Sequence, residues 1–148
     1  MESDLDRLAE IEALCFGRAD ARDALAAELS RSWAKILVAE VEREGVTTVA
    51  AFLDYWRVAD EVEVLYVATD PAWRRQGHAA LLLDALLDHA ATQPVSALLL
   101  EVRPSNQAAV SLYHSRGFVT VGSRPRYYDD GEDAWLMRRS MAPPVACG

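Results

Sequence analysis

The segment Arg74-Arg75-Gln76-Gly77-His78-Ala79 sets two guanidinium groups, one glycine and one small residue ahead of a strongly apolar, helix-forming stretch. The first turn of a helix leaves several backbone N–H groups without an intrahelical acceptor, at the positive end of the helix dipole. Such a start is suited to an anion, and a phosphate is the usual one. Gly77 lets the main chain come close to it, Ala79 is small for the same reason, and Arg74 and Arg75 add positive charge. Neither GxGxxG nor GxxxxGK[ST] occurs here, which disfavours a dinucleotide fold or a P-loop. On spacing alone, an ordinary basic turn leading into a core helix explains the segment equally well. His78 then reads as a solvated helix-start residue rather than a ligand.

Other chemistries find less support. The two cysteines, Cys15 and Cys147, stand in no CxxC or Cys/His cluster, so no metal site is expected. Cys15, between Leu14 and Phe16, reads as a small core residue. The net charge of -8 argues against a nucleic-acid partner and is compatible with amines or basic proteins. No apolar run reaches the roughly 20 residues needed to span a bilayer. The acidic start Met1-Glu2-Ser3-Asp4-Leu5-Asp6 has no hydrophobic signal core, so a cytoplasmic protein without a membrane partner is expected.

The elements that must position the loop follow from periodicity. Leu5, Leu8, Ile11 and Leu14 have helical spacing, and a second amphipathic stretch covers Asp23 to Leu29. Lys35 to Val41 and Thr47 to Trp56 read as a hairpin around Glu42-Arg43-Glu44-Gly45. Glu61 to Thr69 alternates, with Val62, Val64 and Tyr66 on one face, and Asp70-Pro71 ends it. Gly77 to Ala91 is the strongest helix, with Leu81, Leu82, Ala85, Leu86 and His89 on neighbouring turns. Ala97 to Val102 is a short apolar strand. Asn106 can cap a helix from Gln107 to Ser115, which stops at Arg116-Gly117. Phe118 to Gly122 and Ala134 to Arg138 are the last strands. The strand–helix–strand unit from Glu61 to Val102 requires a parallel crossover. A single domain over residues 1–141 is expected, with a flexible tail at 142–148. Its fold class is α/β (α+β), with a mixed central sheet and helices on both faces.

Arg74-x-x-Gly77-x-Ala79 matches the [RQ]xxGx[GA] signature of the GNAT acetyltransferase superfamily and follows the expected strand. The run from Leu100-Glu101-Val102-Arg103-Pro104-Ser105-Asn106 to Leu112-Tyr113 resembles one subfamily, the bacterial ribosomal-protein alanine N-acetyltransferases. Arg116-Gly117-Phe118, Arg126-Tyr127-Tyr128 and Glu132-Asp133-Ala134 share that resemblance, which is close from about Leu65 to Met137. It implies a mostly antiparallel GNAT sheet and acetyl-CoA as acetyl donor. The implied acceptor is a protein N-terminus, that of an alanine-starting small-subunit ribosomal protein. Arg75, Gln76, Gly77, His78, Ala79 and Ala80 would hold the pyrophosphate, Val67, Ala68 and Thr69 would offer backbone groups to the pantetheine, and Asn106 would bond it too. A backbone N–H near Val67 would be the oxyanion donor.

The same resemblance makes Glu101 the general base, directly or through a water, and Tyr113 the general acid for the departing thiolate. Near the end of an apolar strand, burial is expected to raise the Glu101 pKa towards a useful value. Without the resemblance, Glu101 reads as an ion-pair partner of Arg103 or a nearby base, and Tyr113 as a core tyrosine. Tyr127 and Tyr128 would flank the acceptor peptide, or else are exposed aromatics. Trp33, Trp56, Trp73 and Trp135 read as packing residues. Where the subfamily carries a Pro-Trp-Ser-like segment, this chain has Phe16-Gly17-Arg18-Ala19-Asp20-Ala21-Arg22, and Asp129 follows the tyrosine pair where a proline is common. Those departures leave room for a small-molecule amine acceptor. A non-catalytic coenzyme-binding module is the remaining alternative.

Overall fold

The computed structural model describes residues 2–17 and 20–141, so the tail expected to be flexible, Cys147 included, lies outside the described residues. In chain order the α-helices are α1 (Glu2–Phe16), α2 (Ala21–Leu29), α3 (His78–Ala91) and α4 (Gln107–Ser115). The strands are β1 (Ala34–Arg43), β2 (Val46–Val58), β3 (Glu61–Thr69), β4 (Ala97–Val102), β5 (Val119–Arg124) and β6 (Ala134–Ser140). They form one sheet in the order β1-β2-β3-β4-β6-β5. β3 and β4 run parallel, as the α3 crossover demands, and the β1–β2, β4–β6 and β5–β6 pairs are antiparallel. The fold class is therefore the expected mixed α/β one with a mostly antiparallel sheet.

The chain forms two compact units, Met1–Trp56 with Tyr66–Leu86, and Arg57–Leu65 with Leu87–Gly148. In the first, Leu5, Leu8 and Ile11 of α1 meet Leu25, Val49, Phe52 and Ala68 in a hydrophobic core. Leu14 departs from its expected place on this face and is exposed. A 3.6-residue stripe through positions 5, 8 and 11 arrives next at 15, and the half-buried Cys15 packs there instead. The β1–β2 hairpin closes on two residues, Glu44 and Gly45, with φ of 54° and 79°. Positive φ at both positions matches the right-handed twist of the strands, and the turn is correspondingly shorter than the four residues expected.

The same unit holds charge that the sequence pattern did not reveal. Glu12, Glu28 and Asp54 are buried, and Trp56 Nε1 and Arg31 Nη1 each donate to Glu28 Oε1 at 2.9 Å. Glu28 shares a further hydrogen bond with Asp54. Burial, then the hydrogen bond and charge of Glu28 and the charge of Glu12, push the Asp54 carboxyl up to about 9. Asp54 is thus a neutral acid at pH 7 and donates to Glu28. Burial opposes ionisation of Glu28 as well, but its hydrogen bonds from Asp54, Trp56 and Arg31 outweigh that and hold it below the usual carboxylate range.

In the second unit β4 is paired on both sides, to β3 and to β6, which is why its sequence is almost uninterruptedly apolar. Leu98, Leu100, Val102, Phe118 and Met137 are buried there. The side chain of Asn106 accepts from the Ala109 N–H at 3.2 Å, giving α4 the expected cap. Gly117 has φ 86°, the left-handed conformation expected after this helix. Of the five residues set on neighbouring turns of α3, Leu82 and Leu86 are buried. Leu82, Leu83, Leu86, Leu87 and Ala90 are buried, while Leu81, Ala85 and His89 line an exposed stripe. A run as apolar as Ala79 to Leu87 has too little polar contrast to fix its own phase.

Candidate active site

The residues expected to do chemistry fall into two groups, one in each unit. In the first unit β3 ends at Thr69 and Asp70 turns the chain. Its N–H donates to the Ala50 carbonyl at 2.8 Å, its Oδ1 accepts from the Ala72 N–H at 2.9 Å, and Arg7 Nη2 reaches its Oδ2 at 2.6 Å. Burial opposes the Asp70 charge, but the Ala72 amide and the Arg7 guanidinium hold its carboxyl below the ordinary range. The loop's own carboxylate is thereby neutralised. A single 3₁₀ turn, Pro71–Trp73, carries the chain to Arg74.

Arg75 and Gly77 have φ of 64° and 80°, with Gln76 between them at negative φ. Alternation of sign turns successive N–H groups towards one side, the geometry of a backbone anion nest. Positive φ explains the glycine, since a Cβ at Gly77 would meet nothing within 4 Å. The first intrahelical bond of α3 runs from the Leu81 N–H to the Gly77 carbonyl at 2.9 Å. The N–H groups of His78, Ala79 and Ala80 therefore have no acceptor within the helix. His78 differs from the solvated residue expected. Its Nε2 is buried with no hydrogen-bond partner, and its ring meets Trp73 edge-on at 6.4 Å between centroids. Trp73 is covered in turn by the Arg43 guanidinium at 4.6 Å. Cys15 Sγ donates to the Thr69 carbonyl at 3.2 Å, and Arg74 Nη2 lies 3.8 Å from that sulfur. An anion with several oxygens fits these orphan donors.

The second unit carries Glu101 near the end of β4, Asn106 at the start of α4 and Tyr113 in its last turns. Glu101 is not buried as expected: its side chain is 32% exposed, and Arg124 Nε lies 3.5 Å from Oε1. β4 alternates, so Leu100 and Val102 take the core face and Glu101 the other. The ion-pair partner is Arg124 of β5 rather than Arg103. With Arg124 58% exposed, the pair contributes at most about 1 kcal/mol and leaves the carboxylate accessible.

Tyr113 is buried and packs edge-on against Phe118 at 5.8 Å. Burial, with a smaller contribution from Tyr128, pushes its phenol up to about 12, so it keeps its proton throughout the physiological range. Tyr128 is half-buried. Its phenol is also raised, by burial first; the Arg103 charge opposes this and the Glu101 carboxylate adds to it. Tyr128 thus feels Glu101 and acts on Tyr113, which ties the three residues electrostatically. Tyr127 stacks edge-on against it at 5.1 Å and is itself exposed. The four tryptophans divide: Trp33 is exposed, Trp56 bonds Glu28, Trp73 borders the loop and Trp135 is half-buried in β6. Among the described residues no group of three or more His, Cys, Asp or Glu could hold a metal, and no helix is long and apolar enough to cross a membrane.

One unit thus carries a nest with orphan amides, and the other a carboxylate and a protonated phenol. Residues 5–118 match the acetyltransferase (GNAT) family, and the chain belongs to it. It is similar to the ribosomal protein bS18-alanine N-acetyltransferase of Escherichia coli (strain K12). The two are 43% identical over 91 residues, 60% of this chain and 62% of that protein. The crystal structure of the Escherichia coli ribosomal-protein-S18-alanine N-acetyltransferase superposes with a TM-score of 0.81. That match has 33% identity and covers 97% of this chain and 92% of the other. An uncharacterised protein of Mycobacterium leprae is 37% identical over 142 residues, 93% of this chain. The chain spans only 38% of that relative's length, so these curated relatives extend well beyond what it matches.

Proposed function

We propose that this chain is an acetyl-CoA-dependent N-acetyltransferase acting on a protein N-terminal α-amine, that of an alanine at the start of a small-subunit ribosomal protein. The observation that carries the reading is the grouping of Glu101, Tyr113 and Tyr128 in a chain 43% identical over 91 residues to an enzyme named for that reaction. Residues 1–141 act as one catalytic domain in this reading. Arg75, Gln76 and Gly77 with the amides of His78, Ala79 and Ala80 take the pyrophosphate. The backbone of Val67, Ala68 and Thr69 and the side chain of Asn106 take the pantetheine.

Acetyl-CoA supplies the thioester. The α-amine attacks as the free base, and its pKa of about 8 makes that form cost only about 1 kcal/mol at pH 7, against about 5 kcal/mol for a lysine. As the C–N bond forms, Glu101 takes the proton from nitrogen, directly or through a water, and a backbone N–H near Val67 bonds the carbonyl oxygen. As the C–S bond breaks, Tyr113 donates a hydrogen bond to sulfur. Full transfer of its proton would leave a phenolate, with a pKa near 12, beside a thiol of about 8.5, uphill by about 5 kcal/mol. The phenol therefore stabilises the thiolate more than it protonates it.

Free-thiol release from acetyl-CoA tests this reading, with an alanine-starting peptide, a small polyamine and no acceptor compared side by side. Peptide-dependent release supports it, and release with the polyamine alone opposes it. Tyr113→Phe lowers kcat by about tenfold or more with acetyl-CoA affinity unchanged. The wild-type rate shows no falling limb from phenol ionisation up to about pH 11, because the folded phenol titrates near 12. A limb that Tyr113→Phe removes near pH 9 would contradict the buried, protonated phenol.

A further inference from the structure

Arg103 follows β4 directly and enters none of the steps above. Its Nη1 donates to Asp130 Oδ2 at 2.7 Å and to Glu132 Oε1 at 3.0 Å, and its guanidinium lies 3.9 Å from the centre of the Tyr128 ring. Glu132 is held further by Ser105, whose hydroxyl donates to the same Oε1 and whose N–H donates to Oε2, each at 2.9 Å. The loop between β5 and β6 is closed on itself as well. The Tyr128 N–H donates to the Glu132 carbonyl at 3.1 Å, the Gly131 N–H to the Tyr128 carbonyl at 2.8 Å, and the Glu132 N–H to Asp130 Oδ1 at 3.0 Å.

These contacts join two segments that sequence separates by more than twenty residues. One is the turn from Arg103 to Asn106, with Glu101 just before it and α4 with Tyr113 just after. The other is the loop that carries the tyrosine pair. A guanidinium serves here because it is planar. Its edge bonds two carboxylates while its face covers the ring, and an ammonium cannot do both. Surface ion pairs of this kind contribute little to global stability. Their effect is local, fixing where the loop stands.

We infer that Arg103 is a positioning residue for the acceptor, holding the Tyr127–Tyr128 loop in register with Glu101 and Tyr113. The inference rests on the reading that this pair carries the reaction. A held loop spares the incoming peptide the entropy of ordering it, and a displacement of the ring by about 1 Å is enough to lower turnover.

The test compares wild type with Arg103→Met, Arg103→Lys and Glu132→Gln by steady-state kinetics on an alanine-starting peptide. Acetyl-CoA binding is measured by calorimetry, and amide hydrogen exchange is followed across 126–133. For Arg103→Met, kcat/KM for the peptide falls about ten- to a hundredfold. Acetyl-CoA affinity stays within about twofold, and exchange at Tyr128, Gly131 and Glu132 rises. Arg103→Lys recovers less than half of the loss on a logarithmic scale, and Glu132→Gln shows the same pattern more weakly. Faster loop exchange with unchanged peptide kinetics would overturn the inference, as would equal losses for peptide and acetyl-CoA. A wild-type protein that acetylates no peptide would refute the underlying reading, while the exchange data would still report whether Arg103 holds the loop.

Discussion

Glu101→Gln lowers kcat on an alanine-starting peptide by about a hundredfold at pH 7, at the low end of what a general base contributes. The low end follows from the acceptor. An α-amine is already about one-tenth free base at pH 7, so the base is needed chiefly to remove the second proton as the bond forms. Residual activity of the variant rises with pH through about 8 as the free-amine fraction grows, and wild type rises in parallel, so the gap between them stays about constant. Coenzyme affinity is unchanged, because in this reading acetyl-CoA is held by the loop from Arg75 to Ala80, by the backbone of Val67 to Thr69 and by Asn106, not by Glu101. Nor does the fold suffer, since Glu101 is partly exposed and its ion-pair partner Arg124 is more exposed still. Stopped-time kinetics between pH 6 and 9, with acetyl-CoA titration by calorimetry, measure all three. A variant that loses acetyl-CoA binding, or keeps full kcat, contradicts the role.

Asp54→Asn increases stability at neutral pH. Asp54 is 1% exposed, and its Oδ1 has no hydrogen-bond partner among the described residues. Its folded pKa of about 9 lies far above the unfolded value of 3.8. Below the unfolded value both states hold the proton and the fold is at full stability with respect to this group. As pH rises past it, the unfolded chain ionises and the folded chain does not, so stability falls by about 1.4 kcal/mol per pH unit until the folded carboxyl titrates near 9. Glu28 acts in a different window: its folded pKa is lowered, so its contribution is present at neutral pH and is lost only on acidification below the carboxylate range. Asparagine keeps a donor for Glu28 and does not titrate. Wild type should therefore lose up to about 4 kcal/mol between pH 5 and 8 in urea unfolding, and Asp54→Asn should lose far less over the same interval. Parallel profiles for the two proteins would show that Asp54 is not held neutral.

The two effects differ in how far the sequence announces them. Glu101 was legible as a candidate because its neighbours are diagnostic, from Arg103 and Asn106 to Tyr113 and Phe118. β3, β4 and α4 have the expected bounds, each being marked by a local signal: Asp70-Pro71, an unbroken apolar run, and an asparagine cap with a trailing glycine. The environment of Glu101 was not legible. It depends on which face of β4 the residue takes and on Arg124, a residue of another strand. Asp54, Glu28 and Glu12 stand among charged and apolar neighbours as any solvated carboxylate would, and only the packing of α1, α2 and β2 buries them. The Arg103 clamp is not legible for the same reason. One charged residue in a motif does not say which carboxylate, 27 or 29 residues away, will meet it. The approach to α3 from Arg74 to Ala79 is legible because a basic turn with one glycine precedes a long apolar run. The buried Nε2 of His78 was not legible, although the packing role of Trp73, whose ring its imidazole meets, was.

Everything proposed for the site rests on transfer to an α-amine. The most direct measurement incubates the protein with acetyl-CoA and equimolar peptides beginning with Ala, Ser or Met, plus one with a blocked N-terminus and a free lysine. Tandem mass spectrometry then locates the added acetyl group. The expected result is an acetyl group on the α-nitrogen, fastest for the alanine peptide, and none on the blocked one. An acetyl group found only on the lysine side chain would contradict the account.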